Sequence, residues 1–158
     1  MIANEFKPKQ ALLLSRMIYF GLIGGLLFFL VVAFFITTEK LYFKTDLTNP
    51  FLITLLVLSL TSLPIGSFIS ERALPNPDAN EKLPIKFPMY QTRLIIRMAT
   101  CEGVGLFSVV CFLLTPNLVF LLVLLIPLFI MLQYYPTPEK IGRDLNLTQS
   151  EIDSFSGY

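Results

Sequence analysis

The chain has no histidine, and this absence removes the side chain that most often serves as a general base and as a ligand of zinc or haem. It has two cysteines, Cys101 and Cys111, which lie in one predicted helix ~15 Å apart along its axis, too far for a disulfide. There is no C-x-x-C motif, phosphate loop, nucleophile motif or pair of membrane aspartates. We therefore expect a protein that is not an enzyme and that binds no metal or cofactor.

Charged residues are scarce. They make up 15% of the 158 residues, whereas a soluble domain has roughly a quarter, and they stand in short clusters between long apolar runs. Hydrophobic residues make up 54% of the chain, and its mean hydropathy is +0.70. The net charge of +1 argues against a nucleic-acid partner. The composition therefore predicts an integral membrane protein that is surrounded mainly by membrane lipids.

Four apolar runs approach the ~20 residues that a helix needs to cross the ~30 Å hydrocarbon layer. They lack the alternation of a lipid-facing barrel strand, which predicts an all-α protein. The first run is too long for a signal peptide and has no small-residue cleavage site, so we expect an uncleaved helix. The four predicted transmembrane helices cover residues 11–37, 50–70, 94–114 and 117–133.

Lysine and arginine are distributed unequally between the connections. Ten of the twelve lie before or near the start of the first predicted span, between or at the ends of the second and third, or after the fourth. Lys40 and Lys44 lie in the first loop, and the third connection, at Thr115 and Pro116, has no charge. Because positive residues in short loops stay on the cytoplasmic side, we expect both termini and the central loop to be cytoplasmic.

The two halves of the membrane region resemble each other. From Gly25 the sequence reads G-L-L-F-F-L-V-V-A-F-F-I-T, and 78 positions later, from Gly103, it reads G-V-G-L-F-S-V-V-C-F-L-L-T. The segments that begin at Pro50 and Pro116 also align, at a different offset. The alternative to duplication is chance similarity between helices rich in Phe, Leu and Val. A duplicated helix pair keeps its orientation, so we predict two tandem, similarly oriented helical hairpins that form a four-helix bundle.

The chain divides into an N-terminal segment with the first hairpin (1–72), a Pro-rich cytoplasmic loop (73–92), the second hairpin (93–134) and a cytoplasmic tail (135–158). Prolines at 75, 77, 84 and 88 predict that the loop is extended.

The tail has signals for short helices. Pro136 and Pro138 are suited to end one helix and begin another. Thr148 and Glu151 have the spacing of a capping box, which predicts a last helix from about Gln149. We expect the apolar side of the tail to cap the bundle, and the alternatives are contact with the membrane surface or with a partner. That side consists of Ile141, Leu145, Leu147, Ile152 and Phe155.

Small residues predict where the helices pack, because they allow two backbones to approach in lipid. Gly21 and Gly25 form a G-x-x-x-G step in the first helix, and Ala99 and Gly103 form its counterpart in the third. In the second helix, the residues that share one face at helical spacing are Ser59, Ser62 and Gly66.

One carboxylate lies inside a predicted span. Glu102 is only a few ångström from the bilayer midplane, where an ionised group is costly and is often paired or functional. Ala99 and Gly105 nearby predict an inward, crowded face. Three roles are open. Glu102 binds or passes a proton or cation, or grips a partner helix, or is protonated and hydrogen-bonds Ser59, Thr61 or a carbonyl near Pro64 or Pro127.

Paired hairpins, glycines in the odd helices and one midmembrane carboxylate make residues 11–134 resemble the duplicated proteolipid subunit of rotary ATPases. This resemblance implies that Glu102 binds a transported ion in a ring of subunits. The chain departs from that family because its carboxylate is on the first helix of a hairpin, its glycine pattern is shorter and its central loop is long.

The segments Arg97-Met-Ala-Thr-Cys-Glu102-Gly and Tyr135-Pro-Thr-Pro-Glu139 resemble small uncharacterised bacterial four-helix membrane proteins. We expect the chain to lie in a bacterial inner membrane. We predict a noncatalytic subunit or scaffold of a membrane assembly, either as a homo-oligomer or with other membrane-protein subunits. The alternative function is translocation of a proton or cation by way of Glu102.

Overall fold

The computed structural model describes residues 6–37, 40–72 and 81–156, and over these residues its regular structure is helical apart from one isolated β-bridge. This confirms the all-α prediction for the described part of the chain. The helices are α1 (Pro8–Ile36), α2 (Pro50–Arg72), α3 (Leu83–Leu114), α4 (Val119–Gln133), α5 (Pro138–Asp144) and α6 (Gln149–Ser156).

Three helices, α1, α2 and α3, are long and apolar enough to cross a membrane. The fourth predicted span is shorter, because α4 has 15 residues and is therefore only ~22 Å long. A fourth crossing would require α4 and α5 to be taken together, although they meet at an angle of 86°. Within residues 6–37, 40–72 and 81–156, the chain is thus a helical bundle with three membrane-length helices, or four when the bent pair counts as one.

The central helix of the bundle is α3, which packs against α1, α2 and α4. It runs parallel to α1, as the contact from Gln91 Nε2 to Ser15 Oγ (3.4 Å) and the stacking of Phe112 on Phe34 (6.2 Å between ring centroids) show. It runs antiparallel to α2 and α4. Since α1 and α2 pack mainly on α3 and not on each other, the first predicted hairpin is not a packed unit by itself.

The closest approach between α2 and α3 is at Gly66. A Cβ atom added at Gly66 would lie 2.6–2.8 Å from side-chain atoms of Thr100, which is shorter than real contacts allow. Ser59 lies about two helical turns before Gly66 on the same face of α2 and is buried. Its hydroxyl donates to the Leu55 carbonyl (2.8 Å). Ser62 is half-buried. Small residues therefore line this interface as they would in any close helix contact in lipid.

The arginines of the described spans gather at one end of the bundle, which holds the starts of α1 and α3 and the ends of α2 and α4. We call this the basic end. Arg16 Nε donates to the Pro136 carbonyl (3.4 Å) and its guanidinium lies 5.6 Å from the centroid of the Tyr135 ring. Arg97 Nε donates to Ser70 Oγ (2.7 Å). These contacts join helices that are distant in sequence.

The tail caps the basic end, as we expected from its apolar side. Ile141 and Leu145 are fully buried, and the Phe155 ring stacks on the Phe87 ring of α3 with centroids 5.8 Å apart. The predicted last helix from Gln149 is confirmed by the bounds of α6. Its start is held by Glu151, whose carboxylate accepts the Thr148 backbone N–H (2.8 Å), and this bond lowers the pKa of that carboxyl.

The expectation of an extended proline-rich loop is wrong from Leu83 onward, since α3 begins at that residue. Pro84 falls in the first helical turn, where the N–H groups have no acceptor within the helix and proline costs little. Pro88 removes one backbone hydrogen bond, but its neighbour Phe87 is buried against the tail. Residues 73–80 of the predicted extended segment lie outside the described residues.

Candidate functional site

Glu102 lies at the seam between α1 and α3. It is twelve residues from the end of α3 at Leu114, which is ~18 Å along the axis, and so near the middle of a ~30 Å hydrocarbon layer. Gly25 of α1 is at the same depth, and a Cβ atom added there would lie 3.6 Å from Glu102 Oε1. Gly25 and the Glu102 carboxyl are therefore neighbours across the seam, at ordinary van der Waals distance for an added Cβ.

The Glu102 carboxyl is only half-buried, and no group among the described residues hydrogen-bonds it. The hydroxyls of Ser59 and Thr61 instead donate to carbonyls of their own helix, at 2.8 and 2.7 Å. Arg97 donates to Glu71 Oε1 (3.2 Å) on α2. The expectation of a carboxyl that is hydrogen-bonded within a crowded bundle therefore does not hold in the described part of the chain.

Small residues surround Glu102 on the outer surface of α1 and α3. A Cβ atom added at Gly21, Gly24 or Gly103 would have no atom within 4 Å apart from its chain neighbours and the backbone of its own helix. Ala99 is also exposed. The shared register of α1 and α3 places these residues on one side of the molecule. We call this surface the glycine face, and it consists of Gly21, Gly24, Gly25, Ala99, Glu102 and Gly103.

The two small-residue patterns of α1 and α3 thus differ in exposure from Ser59 and Gly66 of α2. Those two residues are buried, Gly66 against Thr100 of α3, whereas Gly21, Ala99 and Gly103 are exposed. Gly105, which the packing patterns did not include, fills the α1–α3–α4 contact, where an added Cβ would lie 2.7 Å from a Leu26 methyl and 3.3 Å from a Leu124 methyl. Gly24 was also missed, although the Gly24-Gly25 pair is a visible signal.

The glycine face can take part in two kinds of chemistry. Its carboxyl can accept or donate one hydrogen bond at mid-depth, or exchange a proton, and its glycines leave both backbones open to an approaching helix. Comparisons of the chain with protein-family models, with curated proteins and with solved structures give no match. Function is therefore inferred from this geometry.

Proposed function

We propose that the chain is a noncatalytic subunit of a membrane assembly and that its glycine face docks a transmembrane helix of another subunit. The observation that carries this proposal is the position of Glu102, a half-buried carboxyl at mid-depth with no hydrogen-bond partner among the described residues. A polar group in hydrocarbon is costly until it is paired. A helix that brings a donor to this depth removes that cost.

The small residues support a helix as the occupant. In lipid there is no hydrophobic drive to bring two helices together, so association depends on close packing and on hydrogen bonds between helices, worth roughly 0.6–2 kcal/mol each. Gly21, Gly24 and Gly103 present three open backbone positions beside the carboxyl. Close packing and one polar contact are thus available at the same surface.

A different protein is favoured over a second copy of this chain. The spans contain few charged or amide side chains, and none of them lies near the depth of Glu102, since the arginines are at the basic end and Asn117 is at the opposite end. A second copy would therefore bring to the carboxyl only another Glu102 or a hydroxyl such as that of Thr61, and the Thr61 hydroxyl already donates to the Val57 carbonyl (2.7 Å). The proposed partner helix carries an amide, an imidazole or a cation near its middle.

The placement in the membrane is part of this proposal. The positive-inside rule puts the basic end, with both termini, on the cytoplasmic side of a bacterial inner membrane. Origin by duplication of a helical hairpin is also part of this proposal, and it is based on the sequence repeat; Phe34 and Phe112, which the repeat aligns, stack on each other. Equivalent residues of α1 and α3 then lie at equal depth.

Filling the glycine face should release the partner. We expect Gly103→Leu to lower recovery of a copurifying membrane subunit about tenfold, which corresponds to ~1.4 kcal/mol. The matched control is Thr61→Leu, which places the same side chain at a similar depth on the exposed surface of α2. The measurement is purification in mild detergent followed by mass spectrometry of stoichiometry and partners. Equal recovery from both variants, or a homo-oligomer as the only assembly, would contradict the proposed partner.

The second candidate function is translocation of a proton or cation, and the partial exposure of Glu102 at mid-depth favours it. For this function we expect Glu102→Gln to abolish ion flux into vesicles that contain the purified protein, because the amide cannot release a proton. The docking function instead expects Glu102→Gln to keep the partner, because the amide oxygen still accepts a hydrogen bond. Vesicles that show no flux with the unaltered chain would exclude this candidate.

A further inference from the structure

A second polar site lies at the basic end, on the opposite flank of α3 from the seam with α1. A cleft of about 330 Å³ opens between α2 and α4, with α3 as its floor. This volume is within the range of small-ligand pockets, ~300–1,000 Å³. One part of the lining is apolar, with Leu63, Pro64 and Ile130, and the other part is polar, with Arg97, Gln133 and Tyr134.

The depth of Arg97 puts this polar part near the membrane surface. Arg97 is seventeen residues before Leu114, which is ~26 Å along α3. If the far end of α3 meets one boundary of the ~30 Å hydrocarbon layer, Arg97 reaches close to the other. Tyr134 lies beside it, and tyrosine is typical of that boundary.

Arg97 is held in place and still has donors to spare. Its Nε donates to Ser70 Oγ (2.7 Å), one Nη donates to Glu71 Oε1 (3.2 Å), and the guanidinium lies 5.4 Å from the centroid of the Tyr134 ring. Guanidinium has five N–H donors, and its other donors have no acceptor within the described residues. The ion pair between Arg97 and Glu71 would compete only weakly with a bound anion, because the Glu71 side chain is 67% exposed to solvent.

A second cation flanks the same ring. Lys140 Nζ donates to the Gln133 carbonyl and lies 5.3 Å from the centroid of the Tyr134 ring. Burial lowers the pKa of Lys140, the positive charges of Arg97 and Arg143 lower it further, and Asp144 raises it. Lys140 lines a small neighbouring cavity with Asp144 and not the cleft itself, so it adds positive charge near Arg97 without lying in the cleft.

We propose that the cleft binds an anionic phospholipid, with its phosphate on Arg97 and an acyl chain along Leu63, Pro64 and Ile130. Basic pockets between transmembrane helices at the membrane surface have the chemistry that recognises such headgroups. A free phosphate ion would use only the cationic part of the cleft. A lipid fills both parts. This site is independent of the glycine face and of the function proposed for it.

The test compares lipids that share acyl chains and differ in charge. Native mass spectrometry of the full chain in detergent should show preferential binding of phosphatidylglycerol over phosphatidylcholine. Ser67→Leu fills the cleft from α2 and leaves the contacts of Arg97 intact, so we expect it to lower that binding at least tenfold. Arg97→Gln should do the same, as expected for loss of a charge-assisted hydrogen bond.

The matched control is Arg72→Gln. Arg72 is an exposed arginine at the same end whose guanidinium lies over the Phe68 ring, 4.3 Å from its centroid, and it does not line the cleft. We expect this variant to bind phosphatidylglycerol within about twofold of the unaltered chain, since only one surface charge is lost. An equal loss in Arg72→Gln and Ser67→Leu would overturn the site, because general surface charge would then explain the preference.

A third arm separates the two sources of phosphate. Inorganic phosphate and glycerol phosphate are added at increasing concentration to the complex with phosphatidylglycerol. We expect neither to displace the lipid at concentrations that leave the protein folded. Displacement by either one at equal concentration would contradict the lipid assignment.

Discussion

Asn117→Ala should lower the free energy of unfolding by about 3 kcal/mol, because three hydrogen bonds are lost and their backbone partners are left unsatisfied. Asn117 is buried at the end of the bundle opposite the basic end. Its Oδ1 accepts the backbone N–H groups of Lys44 (3.2 Å) and Val119 (3.1 Å), and its Nδ2 donates to the Lys44 carbonyl (2.8 Å). Asn117 thereby holds the first loop against the turn between α3 and α4.

The backbone bonds beside Asn117 depend on the same contact. The Tyr42 N–H donates to the Pro116 carbonyl (3.2 Å), and the Leu118 N–H donates to the Tyr42 carbonyl (2.9 Å). Loss of the Asn117 side-chain amide should also weaken these two backbone hydrogen bonds of Tyr42. The backbone N–H groups of Tyr42 and Lys44 should then exchange with solvent faster.

The matched control is Asn49→Ala. Asn49 is the residue before α2, and its Oδ1 accepts a single N–H, that of Phe51 (2.9 Å), so its loss should cost about 1 kcal/mol. Unfolding by SDS in mixed micelles, followed by circular dichroism, gives both values. Equal losses in the free energy of unfolding for the two substitutions would show that Asn117 contributes no more to stability than a helix-capping residue does.

Gly66→Ala should destabilise the bundle by about 2 kcal/mol, because the added methyl overlaps a stiff neighbour. The overlap is with Thr100, whose Cβ would be 2.8 Å away and whose hydroxyl is engaged with the Ile96 carbonyl (2.7 Å). A β-branched side chain has few rotamers in a helix, so α2 and α3 must separate. The SDS unfolding assay that measures Asn117→Ala also measures this effect.

Two further variants make the Gly66 result specific. Gly21→Ala adds the same methyl where no atom lies within 4 Å, so it should be neutral or stabilising by up to about 1 kcal/mol, the helix preference of alanine over glycine. Thr100→Gly removes the obstructing side chain, so Gly66→Ala should cost less in that background. If Gly66→Ala costs no more than Gly21→Ala, α2 and α3 are not closely packed at Gly66.

The sequence predicted the long apolar helices and the tail helix well, because these depend on local patterns. Hydrophobic length located α1, α2 and most of α3, and the spacing of Thr148 and Glu151 located α6. The start of α3 was missed because a proline in the first turn and one further on look like loop signals. Burial of Phe87 against the tail, a contact between distant parts of the chain, decides the outcome there.

The candidate site was only half predictable. Sequence alone indicated that Glu102 lies at mid-depth, since that requires only a count of residues along a helix. It could not tell that Gly21 and Gly103 are open while Gly66 is closed, because a small-residue pattern does not say whether its partner is in the same chain. Asn117 was missed because its bonds reach a loop 73 residues earlier.

The central claim is that the glycine face receives a helix of another protein. The most direct test places a photo-crosslinking amino acid with a short diazirine side chain at Ala99 in cells and identifies the product by mass spectrometry. The same amino acid at Thr61, which is exposed on α2, is the control. We expect position 99, and not position 61, to capture a transmembrane peptide of a different subunit with a polar or basic residue near its middle. Capture of lipid alone at both positions, or of this chain itself, would contradict the claim.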